Sequence, residues 1–226
     1  MFRSACALLL LIILYSVSQV LADDQLSEIL KGVQKTYGKL PGLSLPYKRE
    51  IITQSITMLG GGTDRDLATG QIYFKPPSLL RVQQDTPQPE TIFSDGHTLW
   101  WVIPRKNEAH RYPSQGFGKE LQLLNDIFQG LRAVEETFDV LLMGLAENGE
   151  CRLRLTPNPA WPDIQYLELS VSRSDYTIQV IEIHNYIGGI TRFILGEHHV
   201  EETFSEDFFR FSPPDGMKIV EEATSS

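Results

Sequence analysis

The sequence predicts a mainly β protein with some α: a single domain, built as a strongly curved sheet or unclosed antiparallel barrel of about ten or eleven strands. Three observations carry this. Runs that alternate apolar and polar residues, such as Leu167-Glu168-Leu169-Ser170-Val171-Ser172, are joined by short turns, so neighbouring strands must run antiparallel. Asp95-Gly96 and Asn148-Gly149 are tight-turn signals, because both residue types tolerate positive φ. Helical spacing is confined to a few segments, whose apolar stripes need an apolar surface, and the concave side of the sheet is the one available.

The elements follow in order. Met1-Phe2-Arg3, then an apolar run from Ala5 to Val17, then Val20-Leu21-Ala22, read as a secretory signal peptide over residues 1–22. Its removal would leave 204 of the 226 residues, beginning at Asp23. Leu26, Ile29, Leu30, Val33 and Tyr37 recur at helical spacing from about Asp24 to Lys39, and Gly38, Pro41 and Gly42 stop the helix. Strands are predicted at Ser44–Met58, Gly70–Lys75, Leu79–Gln84, Thr91–Ser94 and Thr98–Ile103, with a flexible loop at Gly60–Gly62. Phe117–Leu131 returns to helical spacing. Thr137–Ala146 suits strand or helix and is assigned as strand. Strands Glu150–Thr156, Ile164–Ser172, Ile178–His184, Ile190–His198 and Phe208–Ser212 follow, before a frayed tail from Glu221. Residues 23–226 form one domain.

Composition and missing motifs exclude several kinds of function. Twenty basic against 29 acidic residues give a charge of −9, which argues against a general phosphate-backbone or nucleic-acid binder. There is no Gly-x-Ser-x-Gly elbow, Walker loop, dinucleotide glycine pattern, His-Glu-x-x-His or Cys-x-x-Cys. No catalytic residue, metal site or cofactor is therefore assigned. His198-His199 with Glu201-Glu202 is the nearest approach to a metal cluster, but adjacent strand residues point to opposite faces. Cys151 is the one cysteine left after the signal peptide and is expected to be a buried, inert thiol. A secreted hydrolase would need a nucleophile or a paired carboxylate set, and the sequence picks out neither.

What the chain does offer is apolar and aromatic. Ile72, Phe74, Leu80, Val82, Ile92, Leu99, Trp101 and Ile103 lie on neighbouring predicted strands. Such a stripe is either core or the wall of a binding cavity. Periodicity does not separate the two, because both bury the same side chains.

Three motifs add a resemblance. Gly70-x-Ile-Tyr-Phe-Lys-x-Pro-x-Leu-Leu-Arg81, Ser94-Asp-Gly-His-Thr-Leu-Trp-Trp101 and Phe209-x-Phe-x-Pro-Pro-x-Gly216 resemble segments of the outer-membrane lipoprotein carrier proteins, the LolA family, in the same order. The resemblance covers nearly all of residues 23–226. It implies an unclosed barrel with a helical lid over an apolar cavity, in the periplasm of a Gram-negative bacterium. The eight stripe residues would line the cavity, and Leu121, Leu124 and Phe128 would face it from the lid. It also implies acylated lipoproteins as cargo, an inner-membrane lipoprotein-releasing ABC transporter as donor, and an outer-membrane lipoprotein receptor as acceptor. The carrier would be a monomer that performs no reaction.

Leu80 matches an apolar position at the cavity mouth implicated in transfer. One position departs from the pattern. Family members often carry Arg where this chain has Pro76, and that arginine bonds the lid; Lys75 is the available substitute donor. The alternative reading is the same fold carrying or sensing another lipid of the cell envelope. A receptor role is disfavoured, since Asp23 stands where a lipidated cysteine would be needed.

Overall fold

A computed structural model of the chain describes residues 23–53, 66–113, 119–132, 134–146 and 148–222. The predicted signal peptide, the end of the first predicted strand beyond Thr53, the Gly60–Gly62 loop and Phe117 lie outside the described residues. Helix α1 occupies residues 23–37 and leads into β1 (Leu43–Ile52). There follow β2 (Asp66–Lys75), β3 (Leu79–Thr86), β4 (Glu90–Ser94), β5 (Thr98–Ile103) and β6 (Glu108–Pro113). Helix α2 (Lys119–Phe128) then carries the chain to β7 (Phe138–Leu145), β8 (Cys151–Pro157), β9 (Ile164–Val171), β10 (Ile178–Asn185) and β11 (Ile190–Leu195). Two short strands, β12 (His199–Val200) and β13 (Lys218–Glu221), complete it.

All thirteen strands join one sheet, in the order β13-β6-β5-β4-β3-β2-β1-β11-β10-β9-β8-β7, with β12 paired to the start of β1. β13 and β7 stand at opposite ends of this order, so the sheet is open. Every pairing is antiparallel except β13 with β6. The expected architecture is therefore present, with two differences in detail. β6, β12 and β13 are additional to the predicted strands, which takes the count among the described residues to thirteen. Phe208–Ser212, predicted as a strand, is instead a turn and irregular chain. Its aromatic rings are held by side chains of the sheet's outer face, so no ladder bonds are needed there. Phe208 meets Tyr73 edge-on at 5.0 Å, and Phe211 stacks on Phe93 at 5.6 Å.

Local chemistry explains the turns. Asp95 Oδ1 accepts from the backbone N–H of His97 and Thr98, and Gly96 takes φ +85° between them. Helix α2 ends where Gly130, at φ +82°, donates to the Ile127 carbonyl and Leu131 donates to that of Asp126. A Cβ on Gly130 would sit 2.9 Å from Gln34 Cα of α1, so this glycine also lets the two helices touch.

Candidate functional site

Strand register decides which side chains share a face. Phe74, Leu80, Ser94 and Leu99 stand opposite one another across β2–β5, and so do Ile72, Val82, Ile92 and Trp101. Ile103 follows Trp101 by two residues and points the same way. All eight stripe residues therefore lie on one face of the sheet. On β1, Leu43, Leu45, Tyr47 and Arg49 extend this face, and beyond it come Leu195 and Phe193, Ile181 and Ile183, Leu167 and Leu169, then Leu153 and Leu155.

The two helices cover this inner face. Ile29, Val33 and Tyr37 of α1 and Leu123, Leu124, Ile127 and Phe128 of α2 share one buried cluster with Ile72, Phe74, Leu80 and Val82. Ile92 packs against it half-buried. Leu99 and Ile103 are buried beyond its edge. The Phe128 ring lies 5.8 Å from that of Phe74 and 6.5 Å from that of Tyr37. Of the lid residues expected from the sequence, Leu124 and Phe128 face the sheet; Leu121 is in α2, but its side chain is outside the described residues. Trp101 differs from its neighbours. It is half-buried, its indole N–H donates to Glu90 Oε2 at 3.0 Å, and its ring lies 5.3 Å from that of His110.

The helices are held in different ways. On α1, the Tyr37 hydroxyl accepts the Ile178 N–H at 3.0 Å, Thr36 donates to the Asp175 carbonyl at 2.8 Å, and Glu28 accepts from the Tyr176 hydroxyl. Burial pushes the Tyr37 phenol up to about 12, so it stays neutral. Among the described residues, α2 makes no side-chain hydrogen bond to the sheet and rests on apolar packing. It carries polar groups that gain nothing from docking: Asn125 Oδ1 is buried without a partner, and burial pushes the Asp126 carboxyl above its usual range. Lys75, the expected substitute lid donor, makes no hydrogen bond or ion pair with a described residue, and Pro76 is exposed in the β2–β3 turn.

Cys151 is buried, and burial pushes its thiol up, as expected of an unreactive cysteine. It lines a cavity of 290 Å³ between α1 and the β7–β8 edge, along with Ile29, Leu142, Arg173 and Tyr176. The His198–Glu202 stretch does not converge on one point. His198 packs on Tyr37 at 5.5 Å, His199 is exposed beside Ser44, and Glu201 accepts the Ser44 hydroxyl at 2.6 Å. On the outer face, Glu168, Glu182 and His184 bring ligand atoms within 4.8 Å of one another. Arg152, Arg154 and Arg192 already occupy those carboxylates, so the donor set suits guanidinium groups better than a metal ion.

The chain thus presents an open sheet whose apolar face lies under two helices. The family model described as outer membrane lipoprotein carrier protein LolA matches residues 54–212, and the chain belongs to that family. An outer-membrane lipoprotein carrier protein of Cupriavidus necator is 22% identical over 220 residues, covering 97% of each chain. One from Nitrosospira multiformis is 25% identical over 162 residues, 69% of this chain and 73% of its own. Among solved structures, an uncharacterized conserved protein from Thermus thermophilus shares the fold, with a TM-score of 0.55 at 13% identity over 88% of this chain and 99% of that one.

Proposed function

We propose that residues 23–226, released from a signal peptide at 1–22, are a periplasmic carrier that takes up the acyl chains of lipoproteins freed from the inner membrane. It hands them to a receptor at the outer membrane, acts as a monomer and performs no reaction. The donor is an ABC transporter of the inner membrane. The observation that carries this reading is the largely apolar inner face, from β5 to β8, covered by a helix that, among the described residues, rests on packing.

The energetics suit that task. A sixteen-carbon chain exposes roughly fifteen methylenes at about 0.8 kcal/mol each, so about 12 kcal/mol opposes its crossing water bare. The inner face is already filled by Phe128, Leu124 and Ile127 in this structure, so a chain enters by replacing α2. Replacement exchanges one set of apolar contacts for another, which keeps the cost of opening low. Loss of α2 packing also frees Asn125 and Asp126 to meet water. The stripe Ile72, Phe74, Leu80, Val82, Ile92, Leu99, Trp101 and Ile103 would then line the lipid site, with Leu121, Leu124 and Phe128 as its lid. Handover needs only a receptor with higher affinity.

The test is to add the purified, detergent-free protein to spheroplasts of a Gram-negative cell. Acylated lipoproteins should leave the inner membrane in a soluble one-to-one complex with it. Absence of release by folded protein from competent spheroplasts would overturn lipoprotein carriage, and mass spectrometry of solvent extracts would then name another envelope lipid.

A further inference from the structure

Among the described residues, Arg49 brings to the inner face a buried guanidinium nitrogen that has no partner. Arg49 lies on β1 between Ala68 of β2 and Phe193 of β11, two residues along from Tyr47, which faces Gly70 and Leu195. Both side chains project to the helix-covered side, where Tyr47 belongs to the apolar cluster and its ring lies 6.0 Å from that of Phe193. Arg49 is half-buried, its Nε is buried without a partner, and it forms no hydrogen bond or ion pair with a described residue. The Tyr47 hydroxyl also has no hydrogen-bond partner among the described residues. Two acids act on Tyr47 through space, and both are engaged elsewhere: Asp85 accepts from Gln83 at 3.2 Å and Glu90 from Trp101.

The outer face shows what this chain does with arginines when only structure is at stake. Arg152 and Arg154 share Glu168, and Arg192 bridges Glu50 and Glu182. The Arg81 Nε is also buried without a partner, but its amino groups donate to the Phe208 carbonyl and Gln83, and the rings of Tyr73, Phe93 and Phe208 enclose it. A guanidinium whose Nε is buried in an apolar face without any such partner is costly to maintain. Beside it, β2 contributes only Ala68 and Gly70, so the strip next to the two donors is free of bulk from that strand. A Cβ on Gly70 would lie 1.9 Å from the Gln83 carbonyl oxygen, so this position cannot gain a side chain without moving β3.

We propose that Arg49, with the Tyr47 hydroxyl beside it, binds an anionic group at the head of the acyl cargo, a phosphate or a carboxylate. The guanidinium fork matches either anion with two parallel hydrogen bonds. The acyl chain then runs from this point along the rows through Ile72 and Val82. The proposal rests on the acyl-carrier reading and adds a polar end to its site. The anion has two possible sources: the phosphate of a phospholipid, or an acidic residue close to an acylated cysteine.

The experiment is calorimetric titration of the detergent-free protein with three sixteen-carbon probes below their micelle concentrations: hexadecyl phosphate, palmitate and the neutral monopalmitoylglycerol. The two anions should bind at least tenfold more tightly than the neutral probe. Arg49→Gln should abolish that preference while neutral binding stays unchanged, and the unchanged neutral binding reports that the variant is folded. Arg49→Lys should keep part of the preference, since the charge remains but the fork is lost. Tighter binding of phosphate than of palmitate points to a phospholipid, and equal binding to a carboxylate near the acylated residue. Equal binding of all three probes, or a preference that survives Arg49→Gln, would overturn the proposal and leave the carrier reading standing. Folded protein that binds none of the three would sink both.

Discussion

The two faces of the sheet are built from different forces. The inner face is mostly Leu, Ile, Val and Phe, and it meets α2 through non-directional packing. The outer face is written in directional bonds. From β1 to β8 it carries a chain of ion pairs, Lys48–Glu50–Arg192–Glu182 and Glu168 with Arg152 and Arg154. From β2 to β5 the 204–211 segment lies over it, and Arg81 and Arg111 are set against aromatic rings. The contrast is a division of labour. In the proposed carrier, apolar packing is exchanged for an acyl chain at little net cost, whereas hydrogen-bonded ion pairs and stacked rings fix strand register and curvature throughout.

Substitutions can break this contrast at several strengths. The largest effect is expected from Leu80→Glu. Leu80 is 2% exposed between Phe74 and Ser94, so a carboxylate there should cost more than about 5 kcal/mol and leave the chain unfolded by circular dichroism. A folded Leu80→Glu protein would show that the inner face already opens to water at that point. Phe128→Ala should cost about 3–5 kcal/mol in urea unfolding, because the ring fills space against Phe74 and Tyr37. A loss below about 1 kcal/mol would mean that α2 contributes little to the closed fold and is a looser lid than its packing indicates.

On the outer face, Arg81→Met should cost about 1–2 kcal/mol and speed proteolysis of the 204–217 segment, since three rings lose their shared cation. Unaltered cleavage there would show that the Phe208 and Phe211 contacts suffice alone. Glu168→Gln should cost about 1 kcal/mol at neutral pH, as the two arginines are partly exposed and screened. Its pH dependence is more telling. Burial opposes the Glu168 charge, but hydrogen bonds and charge from Arg154 and Arg152 outweigh it and hold the carboxyl below its ordinary 4.5. That stabilisation is fully present above 4.5 and is lost as pH falls through the depressed value, so the wild type and Glu168→Gln should converge in strong acid. A gap that persists there would locate the effect in packing. The smallest change runs the other way. Asp126→Asn should raise Tm slightly at neutral pH, because it removes a carboxylate that burial disfavours, and the gain should shrink as acid protonates the native Asp126. No gain at neutral pH would mean that water already reaches Asp126 under α2.

Much of this organisation is legible in the sequence because strand periodicity carries face information. Alternation alone puts Ile72, Phe74, Leu80 and Val82 together, and the Asp95-Gly96 and Asn148-Gly149 turns stand where the hairpins are. Two kinds of element escape. β6 reads Glu-Ala-His-Arg-Tyr-Pro, with too few apolar residues to signal a strand; it is held by pairing with β5 and by the His110 contacts to Glu108 and Glu222. Phe208–Ser212 has the composition of a strand, yet its rings are captured by a face rather than an edge. Arg49 is invisible for a related reason. A charge inside a predicted strand reads as an outward residue until the register with Ala68 and Phe193 turns it inward.

The position of β1 has a consequence for how the protein is made. This first strand stands in the middle of the finished sheet, and Tyr47 must wait for Leu195 of β11 to complete its pairing. The Tyr37 bond that anchors α1 likewise needs Ile178 of β10. Two meanders, β1 to β6 and β7 to β11, can each grow locally, but joining them pairs Tyr47 with Leu195, 148 positions further along a chain of 226. Such non-local closure slows folding and leaves a strand edge exposed meanwhile. A nascent chain therefore spends most of its synthesis with its central seam open, and its own apolar face must be kept from sticking until β11 arrives.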